Sequence, residues 1–266
     1  MLPGAEIIVV DDGSEDATAV LAQEAGARVI SHPYSKGNGA AVKTGARAAR
    51  GEILVFMDAD GQHRPEDIPR LLAKLEEGYD MAVGARDMGG HAGAHRGLAN
   101  TLFNLLASWM VNHRVEDLTS GFRAVRAERF RRFLYLLPNS FSYPTTCTMS
   151  FFRAGFGVAY VPVDMPSRIG TSHIRPMRDG VRFLLIIIKI GTLYSPLKLF
   201  LPVSGIFFTT GLGYYLYTYL QTHRFSNMSA LLLTTAVLVF LIGIVSEQIS
   251  ALMYKDSDAA DPRDPP

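Results

Sequence analysis

Two aspartates that directly follow an apolar run are the side chains best suited to chemistry. Residues 53–57 are too few to cross a membrane, and such a run is typical of a strand buried on both faces. Asp58 and Asp60 come at its carboxyl end, where open α/β sheets bind ligands. Neighbouring carboxylates repel each other, and a hard cation such as Mg²⁺ or Mn²⁺ removes that cost. The spacing predicts a metal and diphosphate site, whereas an isolated Asp-x-Asp is more often a turn or cap.

A second pair of aspartates, Asp11 and Asp12, ends the preceding apolar stretch at residues 7–10. In a doubly wound sheet the ends of two strands can converge on one cleft. Asp12 is then a candidate to accept a hydrogen bond from a nucleotide base, although Asp-Asp-Gly-Ser alone is more often a turn. Residues 36–39 suit an anion at a helix N-terminus, and a plain Gly-rich turn is an equal alternative.

Four arginines lie beside glycine-containing loops and are candidates for binding phosphate. They are Arg86, Arg96, Arg123 and Arg168. Guanidinium groups bind phosphate through two parallel hydrogen bonds, so a group of them near a bilayer favours a phosphorylated lipid. Any one of them alone is more often an exposed surface residue.

Composition narrows the functional classes. The 266 residues suffice for one α/β domain with a core and a small addition. The net charge of +1, without a basic stretch interleaved with aromatic residues, gives no reason to expect nucleic acid as a partner. A single cysteine, Cys147, cannot form an internal disulfide, which fits a reducing compartment. We expect no signal peptide before the first strand.

The elements that must position these side chains alternate between strand and helix. The pattern predicts strands at 6–10, 28–31, 53–57 and 80–84 and helices at 16–25, 40–49 and 66–77. This alternation predicts an α/β fold with a mostly parallel sheet. Further on, we expect a Gly-rich loop at 87–93, an amphipathic helix at 98–111, a polar loop at 117–123 and a last strand at 157–163.

The carboxyl-terminal third is much more apolar. Residues 199–220 and 228–244 carry no charged side chain, and each run is close to the ~20 residues that cross a bilayer. Core helices of soluble proteins are rarely apolar all round over this length. Residues 197–252 are therefore predicted to be a two-helix transmembrane hairpin. Residues 175–196 mix basic and apolar side chains and are predicted to lie on the membrane as an interfacial helix, rather than as an ordinary core helix.

Lysines near the spans predict the topology. Lys189 and Lys198 lie close to the first span and Lys255 follows the second, whereas the loop at 221–227 carries only Arg224. Because positive residues favour the cytoplasmic side, we expect a multi-pass protein of the cytoplasmic membrane with its soluble domain and both termini inside. The tail at 253–266 is rich in Asp and Pro and is expected to be disordered.

Taken together, the ordered motifs resemble the family-2 inverting glycosyltransferases of the GT-A fold. They are Val-Val-Asp-Asp-Gly-Ser at 9–14, Lys-Gly-Asn-Gly-Ala-Ala-Val-Lys-Thr-Gly at 36–45 and Met-Asp-Ala-Asp-Gly-Gln-His at 57–63. Gly84-Ala85-Arg86, the loop at 117–123 and Arg-Ile-Gly-Thr-Ser-His at 168–173 are most similar to the dolichol-phosphate mannose synthase branch. The paired C-terminal spans are similar to its bacterial polyprenyl-phosphate relatives.

The resemblance implies a Rossmann-like GT-A domain at residues 1–174, followed by the interfacial helix and the hairpin. It implies a hexosyltransferase of the cell envelope that moves a sugar from a UDP- or GDP-linked donor to undecaprenyl or dolichyl phosphate. In that reaction the lipid phosphate, already ionised, attacks the anomeric carbon in line, so no strong general base is required. The metal and the arginines would stabilise the departing nucleoside diphosphate.

The resemblance also implies site residues. The nucleotide sugar would be bound by Val10, Asp12, Asp58, Ala59 and Asp60. The Mg²⁺ or Mn²⁺ ion would be held by Asp58, Asp60 and Gln62. The acceptor phosphate would be bound by Arg86, Arg96, Asp117, Ser120 and Arg168. Of these residues, Asp60, Arg86 and Arg96 are the ones expected to be catalytic.

Two departures from the family pattern matter. His173 stands where the family often has lysine. The strand and nucleotide loop that usually precede the Asp-Asp-Gly-Ser strand have no counterpart in residues 1–5. We therefore expect an incomplete chain in which an interior edge of the sheet is exposed.

Two alternatives remain open. A processive polysaccharide synthase also joins this fold to membrane helices. That class is typified by a Gln-x-x-Arg-Trp motif near the acceptor, whereas Trp109 lies in Ser-Trp-Met-Val, which argues against this alternative. A non-catalytic membrane subunit or scaffold is the second alternative, and metal-dependent nucleotide binding separates it from the enzymes. The identity of the sugar, the base and the lipid stays open, as does assembly into a homo-oligomer.

Overall fold

The computed structural model describes residues 4–86, 94–139, 142–164 and 191–255. The chain forms two compact units, Met1–His173 and Ile174–Pro266. The first unit holds the strands and the shorter helices, and the second holds two long helices.

The described strands of the first unit form two sheets. In the smaller sheet, β1 (Ile8–Asp11) pairs in parallel with β2 (Arg28–Ser31). The larger sheet has the order β3-β5-β4-β6. Its strands are β3 (Ile53–Phe56), β4 (Met81–Arg86), β5 (Arg123–Arg126) and β6 (Val158–Val163). β4 and β6 are parallel, and β5 runs antiparallel to both of its neighbours.

The predicted α/β class with a mostly parallel sheet is confirmed, since β1 and β2 are parallel and three of the four strands of the larger sheet run in one direction, but the larger sheet is mixed. The cause is β5, which lies between β3 and β4 with Ala124 opposite both Val55 and Ala82. Its sequence, Arg-Ala-Val-Arg, has only two apolar residues and gives no strand pattern. The strand forms because its neighbours bury it, since Ala124 and Val125 are fully buried.

β1 and β3 each have one edge without a strand partner among the described residues. The outermost strands β2 and β6 have the same kind of edge, so the expected exposure of an interior edge stays a prediction. Helix α2 (Asn38–Ala48) packs against β1 and against α5 (Ala127–Arg132), which directly follows β5. Helix α2 therefore contacts a strand of the smaller sheet and the helix that follows a strand of the larger sheet.

The other helices of the first unit mostly follow the predicted pattern. They are α1 (Thr18–Glu24), α3 (Ile68–Glu76) after a 3₁₀ turn at Pro65–Asp67, α4 (Ala94–Val111) and α6 (Tyr143–Arg153). Helices α5 and α6 were not predicted. The sequence of α6 is rich in Thr and Ser, which are weak helix formers. Burial decides its structure, because residues 143–151 are all buried.

A shared core lies between α3 and the larger sheet. Leu71 and Leu75 of α3 pack on Ala82, Ala124 and Val161 of the strands. Burying apolar surface of this kind contributes about 25 cal/mol per Å². The core thus fixes the larger sheet from whose strand ends the candidate site projects.

In the second unit, α7 (Pro196–Thr222) and α8 (Asn227–Tyr254) form a hairpin. Both helices are long and apolar enough to cross a membrane, in agreement with the two predicted spans. The hydroxyl of Ser204 donates to the carbonyl of Ala236 at 2.8 Å. A Cβ on Gly211 would lie 2.9 Å from Leu232 Cβ, so the backbones approach closely, as small residues allow in membranes.

Two predictions fall largely outside the described residues. Of the interfacial helix predicted at 175–196, only residues 191–196 are described, and 191–194 are helical. Of the tail predicted at 253–266, only residues 253–255 are described.

Candidate active site

The turn after β3 holds Asp58 and Asp60. The backbone N–H of Asp58 donates to His63 Nδ1 at 3.0 Å, and the backbone N–H of Gln62 donates to Asp60 Oδ1 at 3.1 Å. Gly61, at φ +75°, takes the left-handed conformation that closes the turn. Burial lowers the pKa of His63, which favours the neutral ring that accepts this hydrogen bond.

The Asp58 carboxylate lies between the start of α2 and the loop before β5. Asn38 Nδ2 donates to Asp58 Oδ1 at 3.3 Å. On the other side, a Cβ on Gly121 would lie 2.8 Å from Asp58 Oδ2 and 3.3 Å from the Tyr143 hydroxyl. Only glycine at position 121 leaves the carboxylate its present place.

The carboxylates at this turn fit a divalent cation that is shared with a substrate. Within the described part, Asp58 and Asp60 accept one hydrogen bond each, so most of their acceptor positions are open. Gln62, two residues after Asp60 in the same turn, is the third predicted oxygen ligand. No group of three His, Cys, Asp or Glu side chains converges in the described ranges, so there is no all-protein cage. Few protein ligands suit Mg²⁺ or Mn²⁺ bound with phosphate oxygens and water.

At the end of β4, Arg86 forms a bidentate salt bridge with Asp117. Arg86 Nε donates to Asp117 Oδ2 at 2.8 Å, and Nη2 donates to Asp117 Oδ1 at 3.2 Å and to the hydroxyl of Thr119. This hydrogen bonding raises the pKa of Arg86 against the opposing effect of burial. Burial acts to raise the pKa of Asp117, but the hydrogen bonds from Arg86 and Thr119 outweigh it and hold that pKa low. Both groups are therefore charged.

Ser120 supports the loop that carries Asp117. Its backbone N–H donates to Asp117 Oδ1 at 3.1 Å, and its hydroxyl accepts from the N–H of Phe122 at 3.3 Å. The residue is buried. In the structure its hydrogen bonds thus serve the loop itself, and contact with a phosphate stays a prediction.

At the end of β1, the Asp12 carboxylate accepts four hydrogen bonds. Oδ1 accepts from His32 Nδ1 at 2.6 Å and from the N–H of Lys36 at 2.9 Å. Oδ2 accepts from the Ser35 hydroxyl at 2.9 Å and from the N–H of Gly37 at 2.7 Å. Burial acts to raise the pKa of Asp12, but these hydrogen bonds hold it well below its usual range. The predicted contact with a nucleotide base requires that one of these donors be exchanged.

The remaining predicted residues have these places. Val10 lies in β1, and Ala59 lies between the two aspartates of the turn. Arg96 belongs to α4, whose side chains at 94–100 are not described, and Arg168 lies outside the described residues. The N–H of Gly37, part of the predicted anion site, is already bound to Asp12.

Arg123 does not bind an external phosphate, so the prediction was wrong for this residue. Its side chain is fully buried and donates to the carbonyls of Ser120 and of Pro144, the latter at 3.2 Å. Its guanidinium also lies 5.8 Å from the ring centre of Tyr143. The position next to a glycine loop suggested exposure, but the residue starts β5, which lies between two strands.

The contacts that Asn38, Gly121 and Asn104 make in the site were not predicted from the sequence. Asn38 and Gly121 lie in stretches that were noticed, Lys-Gly-Asn-Gly and Ser-Gly-Phe, but their contact with Asp58 spans 20 and 63 residues. Asn104 lies on α4 and binds the loop before Asp117. No local pattern gives such long-range contacts.

Comparison with known families and proteins gives consistent matches. Residues 2–153 match the model "Glycosyl transferase family 2", and residues 195–252 match "GtrB C-terminal hairpin". Glycosyltransferase AglJ of Haloferax volcanii is 30% identical over 219 residues, which are 80% of this chain and 72% of that protein. Polyprenol monophosphomannose synthase of Mycolicibacterium smegmatis is 34% identical over 188 residues, or 65% of this chain and 71% of that protein.

A solved structure with the same fold is glucosyl-3-phosphoglycerate synthase from Mycobacterium tuberculosis, in complex with Mn²⁺, UDP and glucosyl-3-phosphoglycerate. It has a TM-score of 0.55 and 24% identity and covers 70% of this chain and 67% of its own. At this identity the likeness concerns the fold. The expected GT-A architecture is confirmed.

Proposed function

Because the chain belongs to glycosyl transferase family 2, we propose that it transfers a sugar from a nucleotide-sugar donor to a polyprenyl phosphate, with inversion at the anomeric carbon. The observation that carries the proposal is the presence in one unit of open carboxylates after β3 and of a fixed arginine at the end of β4. A leaving diphosphate and an attacking phosphate need these two kinds of group.

On the donor side, Asp58, Asp60 and Gln62 would hold Mg²⁺ or Mn²⁺. When bound, the ion neutralises the charge that develops on the departing nucleoside diphosphate. Val10, Asp12 and Ala59 would contact the nucleotide sugar. The chain's own contribution is geometric, because Asn38, Gly121 and His63 fix the turn that presents the two carboxylates.

On the acceptor side, Arg86 would bind the lipid phosphate. Asp117 takes Nε and Nη2 of the guanidinium, and Nη1 has no acceptor among the described residues. Arg96, Ser120 and Arg168 would complete this phosphate site. A phosphate is an ionised nucleophile at neutral pH, so the residues hold and orient it without a general base.

The hairpin α7–α8 would anchor the enzyme beside its lipid substrate. Its match to the GtrB C-terminal hairpin and the apolar surface of both helices support membrane insertion. With Lys198 and Lys255 at the ends of the hairpin, we place the soluble unit and both termini on the cytoplasmic side.

The test is transfer of labelled sugar to undecaprenyl phosphate in membranes that contain the protein. A panel of UDP- and GDP-sugars is supplied with Mg²⁺, with Mn²⁺ or with EDTA. We expect a lipid-linked monosaccharide that forms only with a divalent ion. A polymer would instead identify a polysaccharide synthase. Absence of both transfer and metal-dependent nucleotide binding would identify a non-catalytic subunit.

A further inference from the structure

One side chain of α4, Asn104, binds the main chain on both sides of Asp117. Asn104 Nδ2 donates to the carbonyl of Glu116 at 2.6 Å, and Asn104 Oδ1 accepts from the N–H of Leu118 at 3.2 Å. These two groups belong to the residues directly before and after Asp117. The amide of Asn104 therefore fixes the position of Asp117 in the loop.

Ser108, one helical turn further along α4, adds a third connection to the same loop. Its hydroxyl donates to the carbonyl of Asn104 at 2.6 Å and accepts from the N–H of Val115 at 2.9 Å. Val115 and Leu118 are buried. The loop is thus held to α4 by hydrogen bonds and by apolar burial together.

The position of Asp117 in turn sets the position of the Arg86 side chain. Its carboxylate accepts from Nε and Nη2 of Arg86, and this geometry fixes both the place and the plane of the guanidinium. A shift of the main chain at 116–118 would therefore move the guanidinium. A cavity of about 430 Å³, lined in part by Arg86, Asn104 and Ser108, lies at this place.

We propose that Asn104 is a positioning residue for the acceptor phosphate and that it acts through Asp117 on Arg86. The inference rests on the proposed function, which assigns Arg86 to the lipid phosphate. Helix α4 also carries Arg96, eight residues before Asn104. One helix then bears one arginine of the proposed acceptor site and, through Asn104 and Asp117, sets the position of the other.

The simplest alternative is that Asn104 merely satisfies two buried backbone groups and stabilises the loop. Such a role would lower stability without selecting among substrates. The positioning role predicts instead a loss confined to the lipid substrate and dependent on Asp117.

A double-mutant cycle separates the two roles. Asn104→Ala should raise KM for undecaprenyl phosphate about tenfold, the size expected for one or two lost hydrogen bonds, and leave KM for the nucleotide sugar within about twofold. In an Asp117→Ala background the same substitution should change KM for the lipid by less than about twofold, because the connection to Arg86 is already lost. An equal loss in both backgrounds would overturn the proposal.

Ser108→Ala is the matched control, since it removes a hydrogen bond between the same helix and the same loop but not beside Asp117. Its effect on KM for the lipid should stay within about threefold. Asn104→Asp keeps the acceptor for Leu118 and loses the donor to Glu116, so it should resemble Asn104→Ala. A Ser108→Ala loss as large as that of Asn104→Ala would show that the loop as a whole, and not Asn104, sets the arginine.

Hydrogen exchange gives a readout that does not depend on turnover. In Asn104→Ala, the amide of Leu118 should exchange at least about tenfold faster than in the wild type, with amides of α3 unchanged. Unchanged exchange at Leu118 would show that Asn104 does not hold this loop and would overturn the proposal. If the wild type transfers no sugar to undecaprenyl phosphate, the proposed function fails, and the exchange result still decides whether Asn104 holds this loop.

Discussion

The ends of β1 and β3 each carry a pair of aspartates, and the protein fills their oxygens to very different degrees. Asp12, after β1, accepts four hydrogen bonds, from one ring nitrogen, one hydroxyl and two backbone N–H groups. Asp58 and Asp60, after β3, each accept one within the described residues. Aspartates that follow a strand in the same way therefore differ in how many hydrogen bonds their carboxylates accept.

This difference separates a carboxylate that already serves the fold from two whose acceptor positions are mostly open. A carboxylate offers about four acceptor positions, so Asp12 has none left for a ligand unless a donor leaves. Two neighbouring carboxylates with open positions are unfavourable until a cation arrives. The degree of hydrogen bonding thus shows which carboxylate already stabilises the fold and which two have the open acceptor positions that the proposed cation site needs.

The largest effect is expected from Asp60→Asn, which removes one charge and keeps the shape. Transfer of labelled sugar should fall by about 10²–10³-fold or more, because the charge that holds the cation at the leaving diphosphate is lost. The melting temperature of the purified protein should stay within about 2 °C of the wild type, since Asp60 accepts one local hydrogen bond among the described residues.

Metal-dependent binding of UDP, measured by calorimetry, should weaken in parallel with the loss of transfer. Intact turnover in Asp60→Asn would contradict the assignment of the β3 end as the donor site. A large drop in melting temperature would show that Asp60 stabilises the fold as Asp12 does, which would contradict the difference between the two strand ends.

Local sequence patterns predicted the strand ends and the aspartates but could not distinguish the two pairs. The donors to Asp12 come from His32, Ser35, Lys36 and Gly37, at separations of 20 to 25 residues. Their approach depends on the pairing of β1 with β2. Periodicity reports which face of an element is buried, and it carries no information on such tertiary contacts.

Tertiary burial also explains the elements that were missed. Strand β5 lacks an apolar alternation, and α6 contains weak helix formers, yet both lie in the core. The two long apolar helices were predicted well, because their signal is the composition of the segment itself. In β5 and α6 long-range packing overrides the local propensity, whereas in the two long helices the local composition already agrees with the structure.

A smaller effect is expected from Gly121→Ala, which places a Cβ 2.8 Å from Asp58 Oδ2. The carboxylate must move, so the Mn²⁺ concentration for half-maximal transfer should rise about 10–100-fold, as for other changes that displace a metal ligand. Gly45→Ala is the matched control, since its Cβ would meet Val10 Cγ2 at an ordinary 3.5 Å. Equal metal titrations for the two variants would show that Asp58 tolerates displacement.

A change in folding is the smallest effect expected, and for Asp12→Asn it should appear in the free energy of unfolding and its pH dependence. The pKa of folded Asp12 lies below the ordinary value of 3.8, so the unfolded chain binds a proton there more readily than the folded protein. The stabilisation from Asp12 is therefore complete above that ordinary value and is lost as the pH falls below it. Asparagine cannot ionise, so its variant should be about 1 kcal/mol less stable at pH 7.

Thermal melts in detergent between pH 3 and 7 measure this difference. The melting temperatures of wild type and Asp12→Asn should converge as the pH falls. Protonation of Asp12 in the wild type removes the stabilisation from the charged carboxylate, which the substitution has already removed. Asp11 and Asp117, whose pKa values are also lowered, remain in both proteins and keep a common slope. Parallel curves at all pH values would mean that the charge of Asp12 does not hold the 35–37 loop, and the contrast between the two aspartate pairs would then rest on Asp60 alone.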